Sequence, residues 1–182
     1  MKKLNLEHYL AFSVVVLGAV FMRLVPHIPN VAPIGALALF SGFLMPNIVG
    51  FLLPLMVMVI SDMFLGFHAT ILYVYGSFVL ITGIGYVFHK KVSPSRVGMG
   101  SVIGSTIFFI ITNFGVWITS SLYQKNSSGL IQSYIMGLPF FRNTLIGDLF
   151  YNVVFFIGYG IFLVLSKKIV LNVKRLVRYH LS

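Results

Sequence analysis

The sequence predicts an all-α integral membrane protein of six transmembrane helices with both termini in the cytoplasm. Three observations lead there. Hydrophobic residues make up 58% of the 182-residue chain and charged ones only 9%, the mean hydropathy is +0.98, and the apolar residues gather in six blocks between polar or Pro-rich punctuation. A soluble domain is about 45–50% apolar and about 25% charged, so this excess needs lipid to cover it. The net charge is +10, but nucleic-acid readers carry Lys and Arg as a stripe on a polar domain. Here the basic residues sit between apolar blocks, which makes the bilayer the partner and excludes nucleic acid. The chain has no cysteine, so it has no disulfide framework, thiolate metal site or cysteine nucleophile.

A helix needs about 20 apolar residues to cross about 30 Å of hydrocarbon. The first block runs from about His8 to Val25. Lys2 and Lys3 precede it as in a signal peptide, yet it leads to Arg23 and a Pro-rich stretch with no A-x-A site, which favours a retained helix. The second block (Val31 to Met45) and the third (Asn47 to Ser61) are short and separated only by Pro46-Asn47, a turn signal. Two spans or one re-entrant hairpin both fit them. The fourth runs from Ala69 to Phe88, the fifth from Val97 to Thr119 and the sixth from Phe140 to Ser166. Within the fifth, Gly100, Ser101, Gly104 and Ser105 form a small-xxx-small pattern that lets helices approach closely. Residues 1–166 thus read as one six-helix domain. Residues 167–182 read as a basic tail, helical from Lys167 to His180, which either lies on anionic headgroups or only fixes topology.

Orientation follows from the placement of Lys and Arg, because basic loops are retained in the cytoplasm. With the N-terminus inside, Lys2, Lys3, Lys90, Lys91, Arg96, Lys167, Lys168, Lys174, Arg175 and Arg178 fall on the cytoplasmic side. Only Arg23, Lys125 and Arg142 fall opposite. The polar residues that interrupt the blocks then sort to the outer face. Arg23, His27 and Asn30 follow the first helix, Asp62 and His68 the third, Asn113 and Trp117 end the fifth, and Arg142, Asn143 and Asp148 open the sixth.

A charged side chain at the bilayer centre costs roughly 2.5–3.5 kcal/mol even on a lenient scale, so such groups face a cavity or a partner. Asp148 is expected about 8 residues, or about 12 Å, into its helix. At 100° per residue Thr144, Asp148, Tyr151 and Asn152 share a stripe, which becomes the wall of the bundle interior. Arg142 and Asp62 are placed at the outer rim, each a partner for the other or for a ligand. Asp148 is also open to a structural pairing with Arg142 or Arg23, and Arg23 to a role as a snorkelling anchor. Trp117 is open to a place in an interfacial aromatic belt. The chain has no Walker A motif, H-E-x-x-H or G-x-S-x-G, and no His or Lys inside a span to serve as base for a serine nucleophile. An enzyme is therefore not expected.

Four segments together carry a family resemblance: Arg23 to Gly42 with its Pro-His27-Ile-Pro-Asn30 run, Ser61-Asp62-Met-Phe-Leu-Gly-Phe-His68, Thr112-Asn113-Phe-Gly-Val-Trp117, and Leu138-Pro-Phe-Phe-Arg142-Asn-Thr-Leu-Ile-Gly-Asp148. Spread over residues 20–155, they resemble the substrate-binding (S) components of energy-coupling-factor transporters, closest to the solitary cobalamin-uptake branch. The resemblance implies a bacterial inner-membrane protein that takes up a vitamin, with His27, Asp62 and Arg142 lining an outward pocket, a corrinoid as ligand, and a transmembrane/ATPase module as partner. Two features depart from that pattern. The cysteine that the cobalamin branch places shortly after its S-D segment is absent and Tyr73 or Tyr75 stands in that region, which leaves an imidazole of His68 or His27, or no protein ligand, to face a cobalt. The A-x-x-x-A docking stripe of the first helix reads Ala11, Val15, Ala19.

The expected function is capture of a vitamin-like small molecule. Trp117, Tyr73, Tyr75 and Phe67 would supply stacking area, and Arg142 and Asp62 would fix orientation. His27, His68, Asn113 and Asn143 would offer hydrogen bonds, with Asn30 and Asp148 nearby. The alternative is a non-transporting scaffold of an envelope-building complex, which needs the polar cluster only for folding.

Overall fold

Each apolar block folds as a helix, because a backbone surrounded by apolar side chains satisfies its N–H and C=O groups most completely within its own segment. The computed structural model describes the backbone of residues 6–25, 28–45, 47–89 and 92–180, with side chains over those segments from residue 13 to 165. His27, the pairs Lys2-Lys3 and Lys90-Lys91, and the side chains of the basic tail lie outside the described residues. In chain order the helices are α1 (Leu6–Leu24), α2 (Ile34–Leu44), α3 (Ile48–Leu65), α4 (Ile71–Phe88), α5 (Pro94–Thr119) and α6 (Ser127–His180).

The hub is α2. It is apolar all round, so it has no face to offer water or a polar neighbour, and such helices are buried. All of its residues except Leu44 are buried, and it packs against α3, α4, α5 and α6. Phe40 anchors this core against Phe155 (5.6 Å between ring centroids), Phe156 (5.0 Å, edge-on) and Tyr159 (5.8 Å, edge-on). With 11 residues, α2 is about 16 Å long at 1.5 Å per residue, half the thickness of a bilayer core. Of the six expected spans, α3, α4, α5 and the stretch of α6 from Ser127 to Leu165 are long and apolar enough to cross a membrane, while α2 and the described part of α1, Ser13–Leu24, are shorter apolar helices.

Glycine sets the approach of α2 to α4. A Cβ on Gly42 would run into the Thr82 carbonyl, and one on Gly85 into the Leu39 carbonyl, so two backbones touch there with no room for side chains. The small residues of α5 serve the same end. A Cβ on Gly100 would press on Leu39 of α2 (3.0 Å), and one on Gly104 on Ile81 of α4 (3.3 Å). Between α2 and α3 the turn is held by Asn47, whose Oδ1 accepts from the Val49 N–H (3.0 Å) and the Gly50 N–H (3.3 Å), as an N-cap does. The Ser41 hydroxyl donates to the Gly50 carbonyl (2.8 Å).

The third and sixth helices extend at least four residues beyond their expected ends. The third continues past Ser61 to Leu65 and stops at Gly66, whose φ of 91° suits glycine; Asp62 is therefore inside α3. The sixth begins at Ser127, well before Phe140, and runs through Pro139 into the basic stretch without a break. Pro139 stands just before the expected start at Phe140, and within a span its one missing N–H is tolerated where neighbouring helices support the chain. Large apolar side chains such as Phe64, Leu72 and Val87 cover the exterior, a surface suited to hydrocarbon.

Candidate functional site

Helix α2 does not begin at the end of the bundle. Its first turn meets Asp148 of α6, and Asp148 meets Ser105 of α5, fourteen residues before α5 ends at Thr119. At 1.5 Å per residue the start of α2 is thus roughly 21 Å below the end of α5. The chain descends to it through residues 28–33, turning at Asn30, whose φ of 64° is a left-handed conformation that asparagine tolerates. Asn143 of α6 secures this descent by donating to the Pro29 carbonyl (3.1 Å).

The first N–H groups of any helix lack intrahelical partners, and here the N-cap residue is Pro33, which provides no side-chain cap. Asp148 does so from another helix. Its carboxylate accepts the Ala36 N–H and, through Oδ2, the Ser105 hydroxyl (2.7 Å). It also lies against Gly35, where a Cβ would collide with it. Asn152, one turn along, donates through Nδ2 to Ser101 (2.9 Å) and to the Asp148 carbonyl (2.9 Å). The stripe Thr144, Asp148, Tyr151, Asn152 is buried, with Asp148 4% exposed, in agreement with its expected place on the interior wall. The depth is corrected: Asp148 follows 21 residues of α6, not about 8, because the helix starts at Ser127. Its partners are Ser105 and the α2 N-terminus, not Arg142 or Arg23.

A second polar group joins α1, α3 and α4. Arg23 Nη2 pairs with Asp62 Oδ1 at 2.7 Å, the side chains being 14% and 1% exposed. Tyr75 donates to Asp62 Oδ2 (2.7 Å), and Arg23 Nη1 also donates to Ser61 Oγ and to the Met58 carbonyl. Arg23 is therefore no snorkelling anchor. It is the counter-ion of a buried carboxylate, and such a pair survives burial only when hydrogen bonds complete its geometry, as Tyr75 and Ser61 do here.

Between these groups lies an open cavity of about 310 Å³. Its polar walls are Arg23, Asn30, Thr144 and Asp148, and its apolar walls include Met58, Val74, Phe78, Ile81 and Phe108. Ile34 and Gly35 of the α2 first turn also line it. Of the residues expected at a ligand site, Asn30 and Asp148 line the cavity, while Asp62 and Tyr75 hold Arg23 at its edge.

The others are placed elsewhere. His68 is exposed and meets Thr70 Oγ1 through Nδ1 (2.9 Å), and Phe67 beside it is exposed. Tyr73 packs on Phe114 (6.1 Å) and against Gly115. Asn113 donates to the Phe109 carbonyl (2.8 Å) and faces Gly137. Arg142 is exposed on α6, away from Asp62. Trp117 closes the end of α5: its Nε1 donates to the Gln124 carbonyl (2.9 Å). Lys125 lies over its ring at 5.9 Å and caps the helix by donating to the carbonyls of Trp117 and Ser120. On α1, Ala19 is buried in the core and Val15 packs against it, so that part of the small-residue stripe faces inward.

Sequence reasoning assigned no chemistry to Ser101 and Ser105. A signal was present: Ser101 and Ser105 are four apart, Asp148 and Asn152 are four apart, and on antiparallel neighbours equal spacings meet as two rungs.

These features define an all-helical protein in which helices fit to cross a membrane surround a short buried helix and the polar-floored cavity above it. The chain belongs to the Family of unknown function (DUF6580), whose model matches residues 3–171. No curated protein and no solved structure matches it.

Proposed function

We propose that the protein binds a vitamin-like small molecule for uptake across the bacterial cytoplasmic membrane, as a binding component and not an enzyme. The observation that carries this reading is the open cavity of about 310 Å³, which combines an apolar wall with four polar residues in its lining, the usual composition of a small-molecule site. The distribution of Lys and Arg supports its facing outward. An apolar cavity of about 150 Å³ holds one benzene, so this one suits a ligand of roughly two rings. A corrinoid would enter only in part. Release inward falls to an energised partner, as in the transporters the sequence resembles.

The test is calorimetric titration of the purified protein with a panel of water-soluble vitamins, alongside mass spectrometry of any copurified small molecule. Binding by the wild type and its loss in Val74→Trp, which fills the cavity from α4, is the expected result. An absence of ligand together with stoichiometric copurification of another membrane protein refutes uptake and favours a scaffold.

A further inference from the structure

The charges around the cavity do not cancel, and this bears on what it takes. Arg23 is committed to Asp62 at 2.7 Å. Asp148 has only neutral donors, the Ser105 hydroxyl and the Ala36 N–H, and among the described residues no Lys, Arg or His lies within ion-pair distance of it. The start of α2 favours the ionised form of Asp148 through its dipole, and no side-chain cation among the described residues pairs with it at the floor of the chamber. A carboxylate offers about four acceptor positions, of which the two donors use two. Ionisable groups within membrane spans face the bundle interior or a cavity, where they pair with another group or mark a substrate or ion pathway.

Resting on the uptake reading above, we infer that the ligand is a small organic cation. Its ammonium or protonated ring nitrogen pairs with Asp148, and its flat apolar part rests against the wall formed by Phe78 and Phe108, whose rings pack on each other with a 30° tilt at 5.3 Å between centroids. Aromatic faces attract cations and reject anions, so the wall and the floor select the same charge. Anions meet no free countercharge here, since the Arg23 guanidinium is already paired.

Three probes with one bicyclic ring and different charge decide the matter: tryptamine, tryptophol and indole-3-acetate, titrated into the full-length protein in lipid nanodiscs. The expected result is tryptamine binding at least about tenfold tighter than tryptophol, or about 1.4 kcal/mol, with indole-3-acetate weakest. In Asp148→Asn, which keeps the shape of the cap, the preference for tryptamine disappears. If that variant does not fold, the wild-type ranking alone decides. Tryptophol or indole-3-acetate binding as tightly as tryptamine, or an unchanged preference in Asp148→Asn, overturns the cation assignment and leaves the uptake reading standing. So does binding of only neutral or anionic vitamins. If neither these probes nor any vitamin binds, the uptake reading falls as well.

Discussion

Replacing Asp148 tests whether a side chain from α6 caps α2. Asp148→Ala removes the acceptor for the Ala36 N–H and for the Ser105 hydroxyl, both at a buried site. Loss of an N-cap costs about 0.5–2 kcal/mol, and stranding a buried hydroxyl costs about 1–3 kcal/mol. Removing a buried carboxylate returns part of this, so a net loss of about 2 kcal/mol is expected. Asp148→Asn retains one carbonyl oxygen, and asparagine caps helices about as well as aspartate, so its loss is expected to stay within about 0.5 kcal/mol. The measurement is reversible unfolding of the detergent-solubilised protein by denaturing detergent, followed by circular dichroism. Hydrogen exchange over residues 33–40 supplies a local readout, faster in Asp148→Ala than in Asp148→Asn. Equal stability of the two variants, with unchanged exchange at the start of α2, refutes the cap.

Arg23→Met leaves Asp62 buried without its counter-ion and is expected to destabilise by about 3–5 kcal/mol, while Arg23→Met with Asp62→Leu recovers most of that; a double-mutant cycle in the same unfolding assay checks it. Gly85→Ala forces the α2 and α4 backbones apart and is expected to cost at least about 1–3 kcal/mol. Gly76→Ala on the same helix meets open space and is expected to be neutral or stabilising by up to about 1 kcal/mol. Because the chain has no cysteine, single cysteines introduced at Lys125 and at Ser95 report topology: an impermeant maleimide added to intact cells is expected to label the first and not the second, and the reverse inverts the orientation.

The helices were legible because an apolar run of 18 residues has few other folds in lipid, and the interior stripe of α6 was legible from 100° periodicity alone. What misled were the local signals. The sixth block was started at Phe140, just after Pro139, yet inside a packed span the helix runs through that proline from Ser127, and this moved Asp148 from about 12 Å to about 30 Å along its helix. Arg23 and Asp62 were each identified as groups that need partners, but their pairing joins helices with a hairpin between them, and no spacing rule reaches across that. Tyr75 was chosen for its ring and serves instead through its hydroxyl. Residues grouped by membrane face share a level, not a site: Trp117, His68 and Arg142 were gathered that way, and they close loops or face outward because position around the bundle is set by packing.

The brevity of α2 accounts for both the cavity and its charge. A helix of 11 residues stands in a column bounded by α3, α4 and α5, of 18, 18 and 26 residues. It cannot fill that column, and glycine contacts at Gly42 and Gly85 fix it toward one end. The unfilled length is the cavity. A helix that begins inside a bundle exposes unpaired N–H groups where water is scarce, so an acceptor must come from a neighbour, and a carboxylate suits both the donors and the dipole. The acid that lets α2 start so deep is thus the same acid that gives the chamber above it a negative floor. Lengthening α2 by two turns at its N-terminus would remove the cavity and the need for Asp148 together.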